Sequence, residues 1–356
     1  MINLDDLSAV RRIDPSNFAG LIESFPLQLE QGLKIASAWS LPKWKASDFS
    51  NIVVAGLGGS SIAAEIVKSY LNYELTIPFS VIRHYRLPEL VNQKTLFIAS
   101  SYSGNTEETL SAYREARKCK AKMVGIASGG QLIELCKRDR LPHIIIPGGL
   151  PPRAALGYSL ASLLVLLGRL GLVKSKMKEI ERAATFLNEF KTKFVPTVEK
   201  LENQAKILAE KLYRKIPVIY AGEDYFYSVA LRWKQQICEN AKVLAFCNAF
   251  PEFNHNELVG WGKSEELREK LTVLILKDKG DHKRVKARME IVKGILEQKG
   301  VPVIEVESFG NSLLERISSL IHLGDWVSFY LSILNEVDPT PVEVIDYLKK
   351  SLAQVK

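Results

Sequence analysis

Cysteine is scarce in this chain: four among 356 residues, Cys119, Cys136, Cys238 and Cys247. None forms a Cys-x-x-Cys pair and no histidines gather beside them. That excludes a zinc finger and a disulfide framework and leaves buried thiols. With only five histidines and no clustered ligands, neither a metal nor any other cofactor is expected. No basic segment followed by an apolar core opens the chain. The most apolar run, "AALGYSLASLLVLLG" (154–168), is too short to cross a bilayer and is followed by Arg169. These absences predict a soluble cytoplasmic protein with no membrane partner, and 47% apolar with 25% charged residues fits that class. The net charge of +8 favours anionic ligands. Its lysines, however, alternate with glutamates along helix faces such as "KMKEIERAATFLNEFKTK". No aromatic RNA-binding signature or zinc finger appears, so no nucleic-acid partner is expected.

Two nucleotide signatures are also missing. In "VVAGLGGSSIAAEIV" (53–67) an apolar strand enters a glycine turn and then a helix, a pattern that places backbone N–H groups around a phosphate. A dinucleotide fingerprint needs a third glycine where Ser61 or its neighbour stands, and an acid ending the next strand. That strand, "FSVIRHY" (79–85), ends in Arg83, His84 and Tyr85. A P-loop needs Gly-Lys-Ser/Thr, and no lysine follows. A second loop of the same kind, "FIASSYSGNTEETLSA" (97–112), offers Ser101, Ser103 and Thr106. Two hydroxyl-bearing loops on one sheet edge suit a compact phosphate monoester. Plain helix capping competes with this, with Asn105 and Glu108 as a capping box and Ser60 or Ser103 as caps.

Strands alternate with helices along the chain, which predicts an α/β fold of two doubly wound parallel sheets with bridging and C-terminal helices. After a helical segment (15–40), strands are expected at 51–56, 79–85, 95–101, 122–128 and 143–147, with helices at 61–71, 105–118 and 130–138. "GGLPPR" (148–153) breaks the pattern. The first domain is read as 1–153, a helical bridge as 154–213, and a second domain as 214–356. The second set comprises strands at 217–222, 243–248, 271–278 and 302–308, with helices at 228–240, 282–299, 311–335 and 341–353. "IVVAGLGGSSIAAEIV" and "PVIYAGEDYFYSVALRW" read as diverged copies, the second without Gly-Gly-Ser-Ser.

"GLGGSS" followed by "SYSGNTEET" resembles the paired loops by which sugar isomerase (SIS) domains grip a sugar phosphate. "PPRAALG" (151–157), "RWKQQICENAK" (232–242), "FNHNELVGW" (253–261) and "DPTPVEVIDYLKKSL" (338–352) resemble the bifunctional phosphoglucose/phosphomannose isomerases, as does "IDPSNFAGLIESFPLQLEQG" (13–32). The resemblance implies interconversion of glucose 6-phosphate, and of mannose 6-phosphate, with fructose 6-phosphate through a cis-enediol. By it Gly59, Ser60, Ser101, Ser103 and Thr106 match the phosphate contacts. Arg153 matches the arginine beside the reacting carbons, and Glu239 the catalytic base. His255 and Lys349 match the residues of ring opening, Lys349 being aligned against Lys350 by spacing alone. A homodimer with shared active sites is implied, and the apolar run 154–168 suits its interface.

The chemistry asks for such groups. Moving a proton between adjacent carbons needs a base, a cation near the developing oxyanion and acid–base help at the ring oxygen. Glu239 falls near the C-terminus of helix 228–240, where the macrodipole disfavours an anion, with Gln235 and Gln236 on its face. Arg153, a cation before an apolar helix, is electrostatically misplaced unless something anionic compensates it. A non-enzymatic SIS regulator would need the cradle but not Glu239, His255 and Arg153. A hexosamine-phosphate synthase would need a cysteine at its N-terminus, and the first here is Cys119.

Overall fold

Two parallel sheets make up the framework of the computed structural model, which describes residues 2–262 and 265–355. The first contains β1 (Asn51–Ala55), β2 (Phe79–Ile82), β3 (Thr95–Ser100), β4 (Lys122–Ala127) and β5 (His143–Ile145), in the order β2-β1-β3-β4-β5. The second contains β6 (Ile216–Gly222), β7 (Phe246–Phe250), β8 (Leu271–Lys277) and β9 (Val303–Glu307), in the order β7-β6-β8-β9. Every neighbouring pair runs parallel. Both halves share the 2-1-3-4 order, as expected of diverged copies. In each, the chain reverses direction between the first and third strands, the switch point at which such sheets bind ligands.

The longer helices are α1 (Phe25–Ala38), α2 (Gly58–Tyr70), α3 (Glu107–Lys118), α4 (Gly130–Arg138), α5 (Leu156–Arg169), α6 (Met177–Phe190), α7 (Gln204–Leu212), α8 (Tyr227–Ala241), α9 (Lys283–Gln298), α10 (Leu313–Leu334) and α11 (Glu343–Leu352). Strand periodicity sorts them into layers, because alternate side chains leave opposite faces of a sheet. In β1, Ile52 and Val54 enter the central core, whereas Val53 and Ala55 enter an outer core with Leu110 and Tyr113 of α3 and Leu132 of α4. In β8, Leu274 and Leu276 face the same central core, and Val273 and Ile275 face Met289 and Val292 of α9. The two sheets therefore enclose one shared helical layer, which includes α1, α2, α5, α8 and α10.

Helix α5 lies wholly inside this layer: every residue from Leu156 to Leu167 is buried. The apolar run 154–168 consequently offers no surface to a second subunit; its hydrophobicity is spent on α1 and α2. α10 is long and apolar enough to cross a membrane, yet its apolar stretch is buried inside the protein. Several boundaries differ from the sequence expectation. The strand expected at 243–248 is β7 at 246–250, because Lys242 takes a left-handed conformation (φ 58°) that ends α8 and delays the strand. β2 stops at Ile82, where Arg83 turns to pair with Glu65 at 2.7 Å. Gly58 and Gly59 belong to the first turn of α2.

A titrating group sits at the heart of the helical layer. His322 of α10 is fully buried against Phe25, Phe194 and Trp326, and its Nε2 accepts the Trp326 indole N–H at 3.1 Å. Burial, assisted by the Lys191 and Arg232 charges, pulls its pKa down to about 3. The folded state therefore binds this proton less readily than the unfolded chain does. Stability is complete above the unfolded value near 6.5 and declines as the pH falls from there toward 3, by at most about 1.4 kcal/mol per pH unit. His322→Gln, which keeps an acceptor for Trp326 but does not titrate, should flatten this decline in urea unfolding at pH 7, 5.5 and 4.5. Parallel wild-type and variant profiles would remove His322 from the acid response.

Candidate active site

The two hydroxyl loops meet at the C-terminal edge of the first sheet. α2 begins at the Leu57 N-cap and α3 at the Thr106 N-cap, and neither cap position makes a side-chain hydrogen bond to its helix. Capping therefore does not consume the serines. Ser60 Oγ instead accepts the N–H of Tyr102 at 3.2 Å, tying the first loop to the second. The hydroxyls of Ser101 and Thr106 lie 2.8 Å apart, and Ser103 Oγ accepts the Asn105 N–H at 3.3 Å. The capping box of Asn105 with Glu108 does not form. Gly104 (φ +71°) packs so closely on the Gly129 carbonyl that a Cβ would come within 1.9 Å of its oxygen. This contact turns Asn105 toward α4, where Oδ1 accepts the Gln131 N–H at 2.9 Å. Two helix N-termini thus present main-chain donors and hydroxyls to one spot, a ready anion cradle.

Arg153 adjoins that cradle. Gly59 lies against the turn before it: a Cβ on Gly59 would come within 2.5 Å of the Pro152 carbonyl oxygen. The Arg153 side chain is only 5% exposed and its guanidinium sits 5.1 Å from the Phe18 ring centroid. Nε donates to Asn240 Oδ1 at 2.7 Å, and Nη2 donates to the carbonyls of Pro339 (2.6 Å) and Thr340 (2.9 Å). Nη1 lies 3.7 Å from Glu239 Oε2, whose side chain is 30% exposed. This carboxylate and the carbonyl oxygens are the compensation that a cation before α5 required. Burial pulls the Arg153 pKa below its usual value, and the charges of Glu239 and Asp338 oppose that.

Some supporting residues were not anticipated. Arg232 Nη2 donates to the Arg153 carbonyl at 3.1 Å and to Asp325 Oδ2 at 2.7 Å, all three groups being buried. Lys242 Nζ bridges the Glu239 carbonyl (2.6 Å) and the Pro341 carbonyl (2.7 Å). One signal was available for the strap 338–341: two of its four residues are prolines, which present carbonyls and no N–H donor. Gln236 does not orient Glu239, since it is buried on the side of Asp325.

Other expected residues stay apart. His255 is exposed and makes no hydrogen bond or ion pair with Glu239 or Arg153. Its loop is nonetheless firmly set: Phe253 stacks on Tyr220 at 4.0 Å, and Glu257 accepts from Asn248 (2.7 Å) and from the Tyr220 hydroxyl. Lys349 stands on the exposed face of α11. In the second half, carboxylates of the chain itself occupy the main-chain donors after β8. Asp278 accepts the Gly280 N–H and Asp281 accepts the Asp278 N–H, each at 2.7 Å. Among the described residues no three His, Cys, Asp or Glu side chains converge as a metal site.

The family model of the SIS domain matches residues 47–139, and that of the bacterial phospho-glucose isomerase C-terminal SIS domain matches residues 201–352. A bifunctional phosphoglucose/phosphomannose isomerase of Caldicellulosiruptor bescii is 43% identical, over 94% of this chain and 98% of that relative. The chain belongs to this family of bifunctional sugar-phosphate isomerases. Another member, from Thermoplasma acidophilum, is 39% identical over 87% of the chain and 92% of its own length. The crystal structure of a hypothetical protein from Thermus thermophilus shares the fold at 16% identity, with a TM-score of 0.74 over 98% of this chain and 94% of that one. As an isomerase of this family, the chain places its SIS cradle and its Arg153–Glu239 pair side by side.

The contact between Gly59 and Pro152 gives a direct check on this juxtaposition. Gly59→Ala should displace the Pro152–Arg153 turn. Overpacking of this kind costs about 1–3 kcal/mol, and kcat/KM should fall further than thermal stability alone explains. A Gly59→Ala enzyme with wild-type stability and kcat/KM would show that the two loops are not mechanically coupled.

Proposed function

We propose that this isomerase interconverts glucose 6-phosphate and mannose 6-phosphate with fructose 6-phosphate through one cis-enediol, in the cytoplasm and without a metal. The observation that carries the reading is the 3.7 Å approach of Arg153 to Glu239, on a turn whose Pro152 carbonyl abuts Gly59 of the cradle. A phosphate held by the Gly59 and Ser60 turn and by Ser101, Ser103 and Thr106 leaves the sugar extending toward that pair. Glu239 removes the C2 proton of the open-chain aldose. The electron pair forms the C1–C2 double bond as the carbonyl oxygen gains charge beside Arg153. Transfer of the O2 hydroxyl proton to O1 and return of the abstracted proton to C1 then give the ketose, with its carbonyl at C2. Loss of C2 stereochemistry in the enediol makes the glucose and mannose substrates equivalent from that point onward.

In this reading the unit 1–153 holds the phosphate and the unit 214–356 supplies the base, with the helices of 154–213 between them. His255 and Lys349 assist ring opening. The exposure of His255, on a loop anchored by Phe253 and Glu257, supports its reaching the cradle of a second subunit in a homodimer with shared sites.

Glu239→Gln keeps the side-chain shape and removes the proton acceptor. Both isomerase activities should fall together, by about two to four orders of magnitude, in coupled assays with each hexose 6-phosphate. Substrate binding should persist, because the cradle is intact. Loss of one activity with retention of the other would refute the single base.

Mixing Glu239→Gln with His255→Ala protomers should restore activity, because a hybrid dimer contains one site with both residues intact. Absence of recovery after demonstrated subunit exchange would place both groups in one chain.

A further inference from the structure

With α5 buried, the exposed apolar surface lies elsewhere. α11 has no buried residue, and Val344, Tyr347 and Leu348 are 82%, 72% and 56% exposed. At 3.6 residues per turn these three side chains fall on one face. The helix is not a loose tail: it leaves the strap 338–341, whose carbonyls are held by Arg153 and Lys242. The Lys242–Pro341 contact also brings the approach to edge strand β7 to the start of the helix, and Leu244 and Phe246 there are 69% and 53% exposed.

The charges beside the stripe indicate what covers it. Glu343 and Lys350 are seven residues apart and border the same flank of the apolar face, one at each end of α11. A flank with acid at one end and base at the other is complementary to itself when two copies align antiparallel about a two-fold axis perpendicular to the helices. The axis would pass beside Tyr347 and set Glu343 of each copy opposite Lys350 of the other. A two-fold axis along the helices would set the two flanks on opposite sides of the pair and leave this complementarity unused. Two ten-residue helices bury less than the roughly 1,200 Å² of a stable interface, so the Leu244 and Phe246 surface is needed to complete it.

We infer that α11, together with Leu244 and Phe246, is the self-association surface of this protein, pairing antiparallel with α11 of a second copy. The inference rests on the homodimer reading above and adds its location and polarity. It also accounts for a strap, held by Arg153 and Lys242, that presents an otherwise unpacked helix, and it couples association to the carbonyls that hold Arg153.

Sedimentation equilibrium on the full chain tests it. The wild type should be a dimer, and Leu348→Glu should dissociate it. E343K and K350E each oppose like charges across the axis twice per dimer, and each should raise the dimer Kd by about 10-fold. The double variant E343K/K350E should return to within about 3-fold of wild type. An effect on α11 alone predicts the reverse, since both substitutions oppose the helix macrodipole and the double variant would then be weakest. That order, or a dimer indifferent to Leu348→Glu, would overturn the assigned surface and leave the homodimer reading standing. A wild type that remains monomeric would overturn both.

Discussion

Everything in the site depends on one buried guanidinium. Arg153 ends the first half of the chain, yet its donors are taken by Asn240 of the second half and by Pro339 and Thr340 near the C-terminus. A charge removed from water is costly unless its hydrogen-bonding positions are filled, so three distant segments must converge before it can be buried. Its main chain is fixed in turn by the Arg232–Asp325 pair. Nη1 faces Glu239 at a distance longer than a hydrogen bond.

This arrangement explains why the two halves share a helical layer. α8 carries Arg232, Glu239 and Asn240 on its last three turns, and α10 carries Asp325. Both helices face the central core between the sheets. The same packing that buries Trp233 and Trp326 sets the azimuth of α8 and hence the position of its polar residues. The duplicated halves have also diverged in role. The first keeps uncapped helix N-termini after its strands, while the second satisfies the equivalent main-chain donors with Asp278 and Asp281. Burial pushes the Asp281 carboxyl up to about 6, against the opposing effect of the Asp278 N–H that it accepts.

The strap 338–341 extends the dependence on Arg153 to the end of the chain. Its carbonyls are shared by Arg153 and Lys242, so the start of α11 cannot move without disturbing the donors around Glu239. Burial and the nearby Arg153 charge lower the Lys242 pKa, consistent with two cations donating to one short strap. Any force borne by α11 is therefore transmitted to Arg153 and Lys242, beside Glu239, through main-chain contacts of under 3 Å.

Much of this was legible in the residues alone. Alternating apolar strands, such as Ile52 to Ala55 and Leu274 to Leu276, announce sheets covered on both faces, and glycine with hydroxyl loops announces strand-to-helix turns at one sheet edge, because these signals are local in the chain. The motif around Glu239 marked the residue but not its neighbours. Three features needed the folded molecule: the placement of Gly59 against Pro152, the clamp on Arg153 by Asn240 and two carbonyls, and the turning of Asn105 away from its own helix. Each is a contact across 26 to 187 residues of chain, or between backbones whose approach no side chain advertises. The very apolar helix α5 was misread as an interface for the same reason. Hydrophobicity says that a surface will be covered, and only tertiary packing decides by what.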